Sequence, residues 1–287
     1  MKRLILMVIF AFLWIANVDS YGQDLYPKKG KNDKWGYIDK TGKVVVPFKY
    51  DQAWNFSEEL AMVRINFKWG FIDKTGKEVI PLIYDQAWDF SEGLARVHYN
   101  NGQGFIDKTG KEATPFKYDP FITISTGYSN SPPIYLFSEG LIWVSQNGKY
   151  GFIDNTGKEV IPLMYESVTN FSEGLAVVRL NGKAGYIDKT GKVVIPFKYD
   201  GAWSFLKGPA MVRLNDRWGY IDKSGNEVTP LMYNSSGEFF EGFAMVRLIH
   251  KFGFIDKTGK EVIPVEYDGA SFFSEGLASV KRNNKWG

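Results

Sequence analysis

The stretch WGFIDKTGKEVIP, Trp69–Pro81, decides the fold, because the chain repeats it. It returns as WGYIDKTGKVVVP from Trp35, WGYIDKSGNEVTP from Trp218 and FGFIDKTGKEVIP from Phe252. The glycine of the opening pair falls at Gly36, Gly70, Gly104, Gly151, Gly185, Gly219, Gly253 and Gly287, in steps of 34, 34, 47, 34, 34, 34 and 34. Self-similarity at a fixed period of this length marks a repeat architecture and outranks any element-by-element reading.

Each unit reads roughly GLAxVRxNxKWGFIDKTGKEVIPxxYDxAWxFSE. Three runs favour strand. LAVVRL, Leu175–Leu180, is apolar and β-branched; AGYID, ending at Asp188, alternates; KVVIP, Lys192–Pro196, is β-branched again. DKTGK between the last two is a tight turn, with Gly76 suited to a left-handed position and Asp73 to capping backbone amides. The pattern predicts a three-stranded antiparallel meander. It ends at a proline (Pro47, Pro81, Pro115, Pro162, Pro196, Pro230, Pro264) that cannot continue the ladder. The YDxAWxF segment is read as loop, with a fourth strand as the variant.

Alternation places Trp69, Phe71 and Asp73 on one face and Gly70 and Ile72 on the other. Gly70 is expected to make room for a close approach, by an aromatic of the adjacent unit. One unit buries too little apolar surface alone, so neighbours must share a core. Two all-β arrangements fit: an open β-solenoid-like array, favoured because 34 residues are few for a propeller blade, or a seven-bladed β-propeller-like ring.

These phrases, joined by FSEGLAxV, resemble the WG (KWG) repeat family over about residues 25–287. The Trp lapses to Gln103, Tyr150, Ala184 and Phe252, whereas the Gly does not. The resemblance implies an all-β repeat with an interaction role and brings no catalytic residues. The hairpin wording is also similar, by analogy only, to cell-wall-binding repeats.

Outside the period lie two segments. Residues 1–22 combine Lys2 and Arg3, an apolar run from Leu4 to Ala16, and small residues Ser20 and Gly22 before Gln23. This is the pattern of a cleaved secretory signal peptide, too short to span a bilayer comfortably. It predicts a secreted or periplasmic protein with no membrane span after removal, and residues 23–287 as the array. The third step is 47 rather than 34, so 13 extra residues lie within 119–137. Insertions of this kind form loops on one face. The chain stops inside what reads as an eighth repeat.

Charged residues make up 23% with a formal net charge of +3, which fits neither a disordered chain nor a strongly basic nucleic-acid binder. There is no cysteine, which excludes thiol chemistry and Cys-based zinc sites. No P-loop, G-x-S-x-G or H-E-x-x-H occurs. The turn aspartates (Asp39, Asp73, Asp107, Asp154, Asp188, Asp222, Asp256) are assigned to capping rather than to calcium, which wants six to eight oxygens. A second acidic column (Asp51, Asp85, Asp119, Glu166, Asp200, Asp268) is matched to a basic one (Arg64, Arg179, Arg213, Arg247, Lys281) as structural ion pairs. His98 and His250 have no ligand or nucleophile spacing around them.

The expectation is therefore a non-enzymatic protein without catalytic residues, metal or cofactor, offering an extended surface to a protein or polysaccharide. The alternative is a glycan- or cell-wall-binding module associated with a hydrolase. Trp54, Trp88 and Trp203 share a column that also accepts Thr169, Gly237 and Ser271. A column that tolerates both Trp and Gly is a candidate exposed stacking platform, with packing against a neighbouring loop as the competing reading. Tyr128 and Tyr135 in the insertion complete the candidate ligand residues.

Overall fold

The computed structural model describes residues 24–119 and 137–287. Residues 1–22, expected to be a signal peptide, and Tyr128, Tyr135 and most of the insertion lie outside them. Among the described residues, 28 strands form eight antiparallel sheets and there is no helix. The sheets define unit 1 (24–50), unit 2 (51–84), unit 3 (85–118), unit 4 (119–165), unit 5 (166–199), unit 6 (200–233), unit 7 (234–267) and unit 8 (268–287).

A complete unit has four strands rather than three. In unit 2 they are Gln52–Ser57, Leu60–Ile65, Lys68–Ile72 and Glu78–Tyr84, paired in chain order. The YDxAWxF segment supplies the first: Gln52 faces Arg64 and Ala53 faces Val63. This segment was read as loop because only a few of its residues pair; in units 5, 6 and 8 the strand is two residues long.

The fourth strand does not stop at its proline. Trp69 faces Tyr84 and Phe71 faces Ile80, so Pro81, Leu82 and Ile83 bulge opposite Gly70 alone. A bulge leaves residues out of the ladder, so the missing N–H of Pro81 breaks nothing there. The bulge also explains the glycine. A Cβ on Gly70 would lie 2.6 Å from the Ile80 carbonyl oxygen and 2.7 Å from that of Pro81. The close approach therefore comes from the unit's own backbone, not from a neighbour's aromatic ring.

The DKTGK turn forms as its sequence dictates. Gly76 takes φ +82°, and Asp73 Oδ1 accepts from the Thr75 amide (2.9 Å), the Thr75 hydroxyl (2.6 Å) and the Lys77 amide (3.1 Å). Thr190 does most to hold Asp188 below the usual carboxylate range in the equivalent turn, as Thr41 does for Asp39.

The core lies between units. Leu60, Met62, Phe71, Ile80 and Tyr84 of unit 2 pack on Ala87, Phe90, Ala95, Val97 and Ile106 of unit 3. The same pattern joins Tyr186, Ile195 and Tyr199 to Val212 and Ile221, and Tyr220 and Tyr233 to Val246 and Ile255. Each sheet thus has a bulky face and a flatter Ala/Val/Ile face, and each bulky face meets the next unit's flat one. This is the nearest-neighbour coupling of a repeat protein.

Strand packing of any extent runs within a unit or between consecutive units, never from unit 1 to unit 8. Leu277 is 77% exposed in unit 8, whereas its counterpart Leu60 is 8% exposed. In unit 1, Lys28 stands opposite Gly36, where unit 2 has Val63 opposite Gly70. Among the described residues the array is open, and no ring closes.

Candidate functional site

At most junctions the FSEGL phrase fastens one unit to the next. Ser172 Oγ donates to the Phe205 carbonyl at 2.6 Å, as Ser138 does to Phe171 and Ser57 to Phe90. The carboxylate of the phrase accepts a turn amide from the next unit: Glu58 from Gly93 (3.0 Å), Glu139 from Gly174 (3.1 Å) and, after Phe240 rather than a serine, Glu241 from Gly276 (2.8 Å). A lysine of the next unit's DKTGK turn closes on the same carboxylate. Lys108–Glu58 and Lys189–Glu139 are 3.1 Å apart, and Lys223–Glu173 2.8 Å. Lys223 holds Glu173 below the usual carboxylate range.

The glutamates sit at the first of two positive-φ positions in a two-residue hairpin, Glu139 at 55° and Glu173 at 54°. Such turns favour Asn, Asp or Gly. A long carboxylate placed there against propensity is explained by its reach to the next unit. The leucine that follows is buried at Leu60, Leu94, Leu141 and Leu175.

The junction of units 6 and 7 departs from all of this. The phrase FSEGL becomes Phe205-Leu206-Lys207-Gly208-Pro209. Leucine replaces the donating serine, lysine replaces the glutamate, and proline replaces the buried leucine. A cleft of about 370 Å³, mouth included, opens there between Trp203, Ser204, Pro209, Met211 and Tyr220 of unit 6 and Glu238 and Phe239 of unit 7. Leu206, 58% exposed, forms its lip.

The cleft walls are braced. The Trp203 indole packs on Trp218 with ring centroids 4.9 Å apart. Tyr220 donates to the Gly237 carbonyl and accepts from Ser236 Oγ, both at 2.5 Å. Burial pushes the Tyr220 hydroxyl up to about 12, so it is neutral at physiological pH. Beside the cleft, exposed Phe240 and Phe272 stack with centroids 5.4 Å apart. At the Phe240 position units 2 to 5 carry Ser57, Ser91, Ser138 and Ser172.

The predicted ligand residues separate. Trp203 lines the cleft. Trp88 is only 9% exposed and Trp54 is half-buried against the core of units 2 and 3. Neither of their indole N–H groups finds an acceptor. The stacking platform weighed for Trp54 and Trp88 is not present; packing, the reading favoured over it, buries Trp88 and half-buries Trp54. Tyr128 and Tyr135 lie outside the described residues.

The charged columns pair differently from expectation. Asp51, Asp200 and Asp268 take the lysine preceding the WG position, Lys34 (2.6 Å), Lys183 (2.5 Å) and Lys251 (2.6 Å). They also accept the turn amides of Asn66, Asn215 and Asn283. The arginines instead lie over rings: Arg64 over Trp69 and Arg213 over Trp218 at 5.4 and 5.7 Å. Lysine wins because its ammonium reaches from the strand beside the acid, while register puts Arg64 and Arg213 opposite an indole. Arg179, opposite Ala184, donates instead to the Gly182 and Asp200 carbonyls. In unit 3 the row becomes His98 opposite Gln103, and Gln103 is 1% exposed with its amide unpaired. His250 is exposed in a turn. Among the described residues, no three His, Cys, Asp or Glu side chains are grouped to hold a metal.

Sequence reasoning missed the serine and glutamate columns and the break at 206–209. The signal was present, since FLKGP stands where five other units have FSEGL or FSEEL.

These features define a tandem β-repeat protein of stacked four-stranded meanders. The pattern of the WG containing repeat matches residues 35–69, 69–102, 104–119, 134–150, 150–183, 185–218, 218–248 and 252–286, and the chain belongs to that family. No protein of curated function matches it. Among solved structures, a eukaryotic initiation factor is similar at 11% identity and TM-score 0.44, covering 90% of this chain and 78% of that one. Kluyveromyces lactis Hsv2p gives 11% and 0.36, with 70% and 71% covered. The extracellular domain of BT4673 from B. thetaiotaomicron gives 10% and 0.31; 91% of this chain is covered, spanning 45% of that one. Likeness at these scores carries no argument about function.

Proposed function

We infer that the chain is a non-enzymatic binding protein of the cell envelope or secreted space, whose repeats present an extended surface to a protein partner. The observation that carries this reading is the cleft at Trp203, where the contacts that close other junctions are replaced by apolar and unpaired side chains. Exposed Leu206, Phe240 and Phe272 extend its rim, and apolar surface gathered beside a cleft marks an interaction site more often than a solvated face.

The non-enzymatic part draws on the acidic columns. Their carboxylates are engaged with turn amides, threonines and lysines rather than aimed into the cleft. Export draws on residues 1–22, with a mature start at Gln23.

Affinity capture from the native organism with the full chain and its Trp203→Ala variant tests the reading. A protein retained by the first and lost by the second supports it. The glycan reading rests on the Trp203 ring with Ser204 and Glu238 beside it. Capture of polysaccharide with no protein favours that alternative, and turnover of a substrate abolished by one carboxylate change overturns the non-enzymatic assignment.

A further inference from the structure

The cleft can be read as the negative image of what its sister junctions contain. At the junction of units 4 and 5, Glu139 receives Gly174 N–H and Lys189 Nζ together, while Leu141 fills the adjoining core. In unit 6 the glutamate is Lys207 and the leucine is Pro209. The receiving groups of unit 7 remain. Gly242 N–H is offered no carboxylate, and Lys257 Nζ keeps the carbonyl contact to Lys207 (2.6 Å) that Lys189 also makes to Glu139, without the carboxylate that Lys189 has beside it. Neither Lys207 nor Lys257 closes an ion pair among the described residues, although Glu173 lies near enough to feel the charge of Lys257. The Lys257 ammonium and the Gly242 N–H therefore keep the places that receive a glutamate elsewhere, with a second cation, Lys207, in the glutamate's own position, next to a hollow that has lost its leucine.

The geometry points to a docking site for a partner segment that carries an acidic residue beside an apolar one. This deepens the protein-binding reading above and rests on it. The apolar side chain enters between Trp203, Met211, Tyr220 and Phe239. The carboxylate takes Gly242 N–H and Lys257, the contacts that a resident glutamate makes elsewhere, and Lys207 adds a second positive charge. Charge complementarity selects an acidic segment over a neutral or basic one. Glu238 on the cleft wall does not oppose this: unit 3 carries Asp89 at the same place and still receives Glu58 from unit 2. A desolvated apolar anchor flanked by a charge-assisted hydrogen bond is the usual build of a binding hot spot.

The test uses the full chain and a random peptide display library. Peptides enriched on the native protein are then measured against the double variant Lys207→Glu, Pro209→Leu, which restores the glutamate and the leucine of the other junctions and is expected to fold. Enriched peptides should place Asp or Glu within a few residues of Leu, Phe or Trp, and the double variant should bind them roughly tenfold or more weakly. Changing the peptide's acid to its amide should reproduce that loss. Enriched peptides without the acidic–apolar pattern, or bound equally by the variant, overturn the site while leaving the binding reading intact. Failure to enrich any peptide also overturns it. If affinity capture is empty as well, both fall.

Discussion

The amide of Gly174 donates to the carboxylate of Glu139 at 3.1 Å, across 35 residues of sequence and one boundary between units. With Lys189 on the same carboxylate, this contact turns stacked sheets into fastened ones. The contact is exposed, so each such pair adds only about 0.5–1 kcal/mol. Its recurrence at successive junctions is what matters in a repeat protein, where stability follows neighbour coupling.

Restoring the phrase at the odd junction should therefore stabilise the protein. Lys207→Glu with Pro209→Leu adds a buried leucine, worth about 1.5–3 kcal/mol, and one fastening pair, against about 0.4–1 kcal/mol for the lost proline. Urea unfolding should show a gain of roughly 1–3 kcal/mol. A loss means the cleft is not the vacancy described.

Gly70→Ala should be severe although it adds one methyl group. The new Cβ meets Ile80 and Pro81 carbonyl oxygens that the bulge fixes in place. Overpacking against backbone costs about 2–3 kcal/mol, and thermal unfolding should register it. Gly42→Ala is a useful contrast. Nothing lies near its Cβ, and only its positive φ of 85° penalises the change.

The period, the alternation at Trp69–Gly70–Phe71 and the Asp73 turn were legible in the sequence because each is local. The bulge was not. Proline at 81 reads as a strand end unless one knows that Gly70 lies across from it, and that pairing is set by register. The first strand figures in the sequence only as the variant to a loop, because two paired residues leave little periodicity. Of the candidate site, Trp203 was legible from its column. The Lys207 and Pro209 substitutions were visible, but their meaning required seeing that Glu139 and Leu141 reach the next unit.

Acid should loosen the array. Asp188 is held below its ordinary 3.8 chiefly by Thr190, Asp200 by Lys183 and Asp268 by Lys251. A carboxylate with a lower folded value contributes stability that is fully present above its unfolded value and disappears as pH falls through the folded one. Denaturant midpoints should stay level from pH 7 to about 5 and fall at lower pH. Unchanged midpoints at pH 3 would count against these contacts.

The two tryptophans should part company. Trp88→Ala removes a buried ring and should cost about 3–5 kcal/mol in unfolding experiments. Trp203→Ala removes a half-buried one, with a smaller stability cost of about 1–2 kcal/mol but loss of partner capture. Equal effects on stability and none on capture would remove Trp203 from the site.

Amide exchange at Gly242 tests the central claim most directly. Gly93, Gly174 and Gly276 each donate to a glutamate of the preceding unit, whereas the unit before Gly242 carries Lys207 at that position. In residue-resolved exchange, Gly242 should be about tenfold less protected than Gly174, and Lys207→Glu should bring it level. Equal protection in the native chain, or no slowing in the variant, contradicts an unfastened junction between units 6 and 7.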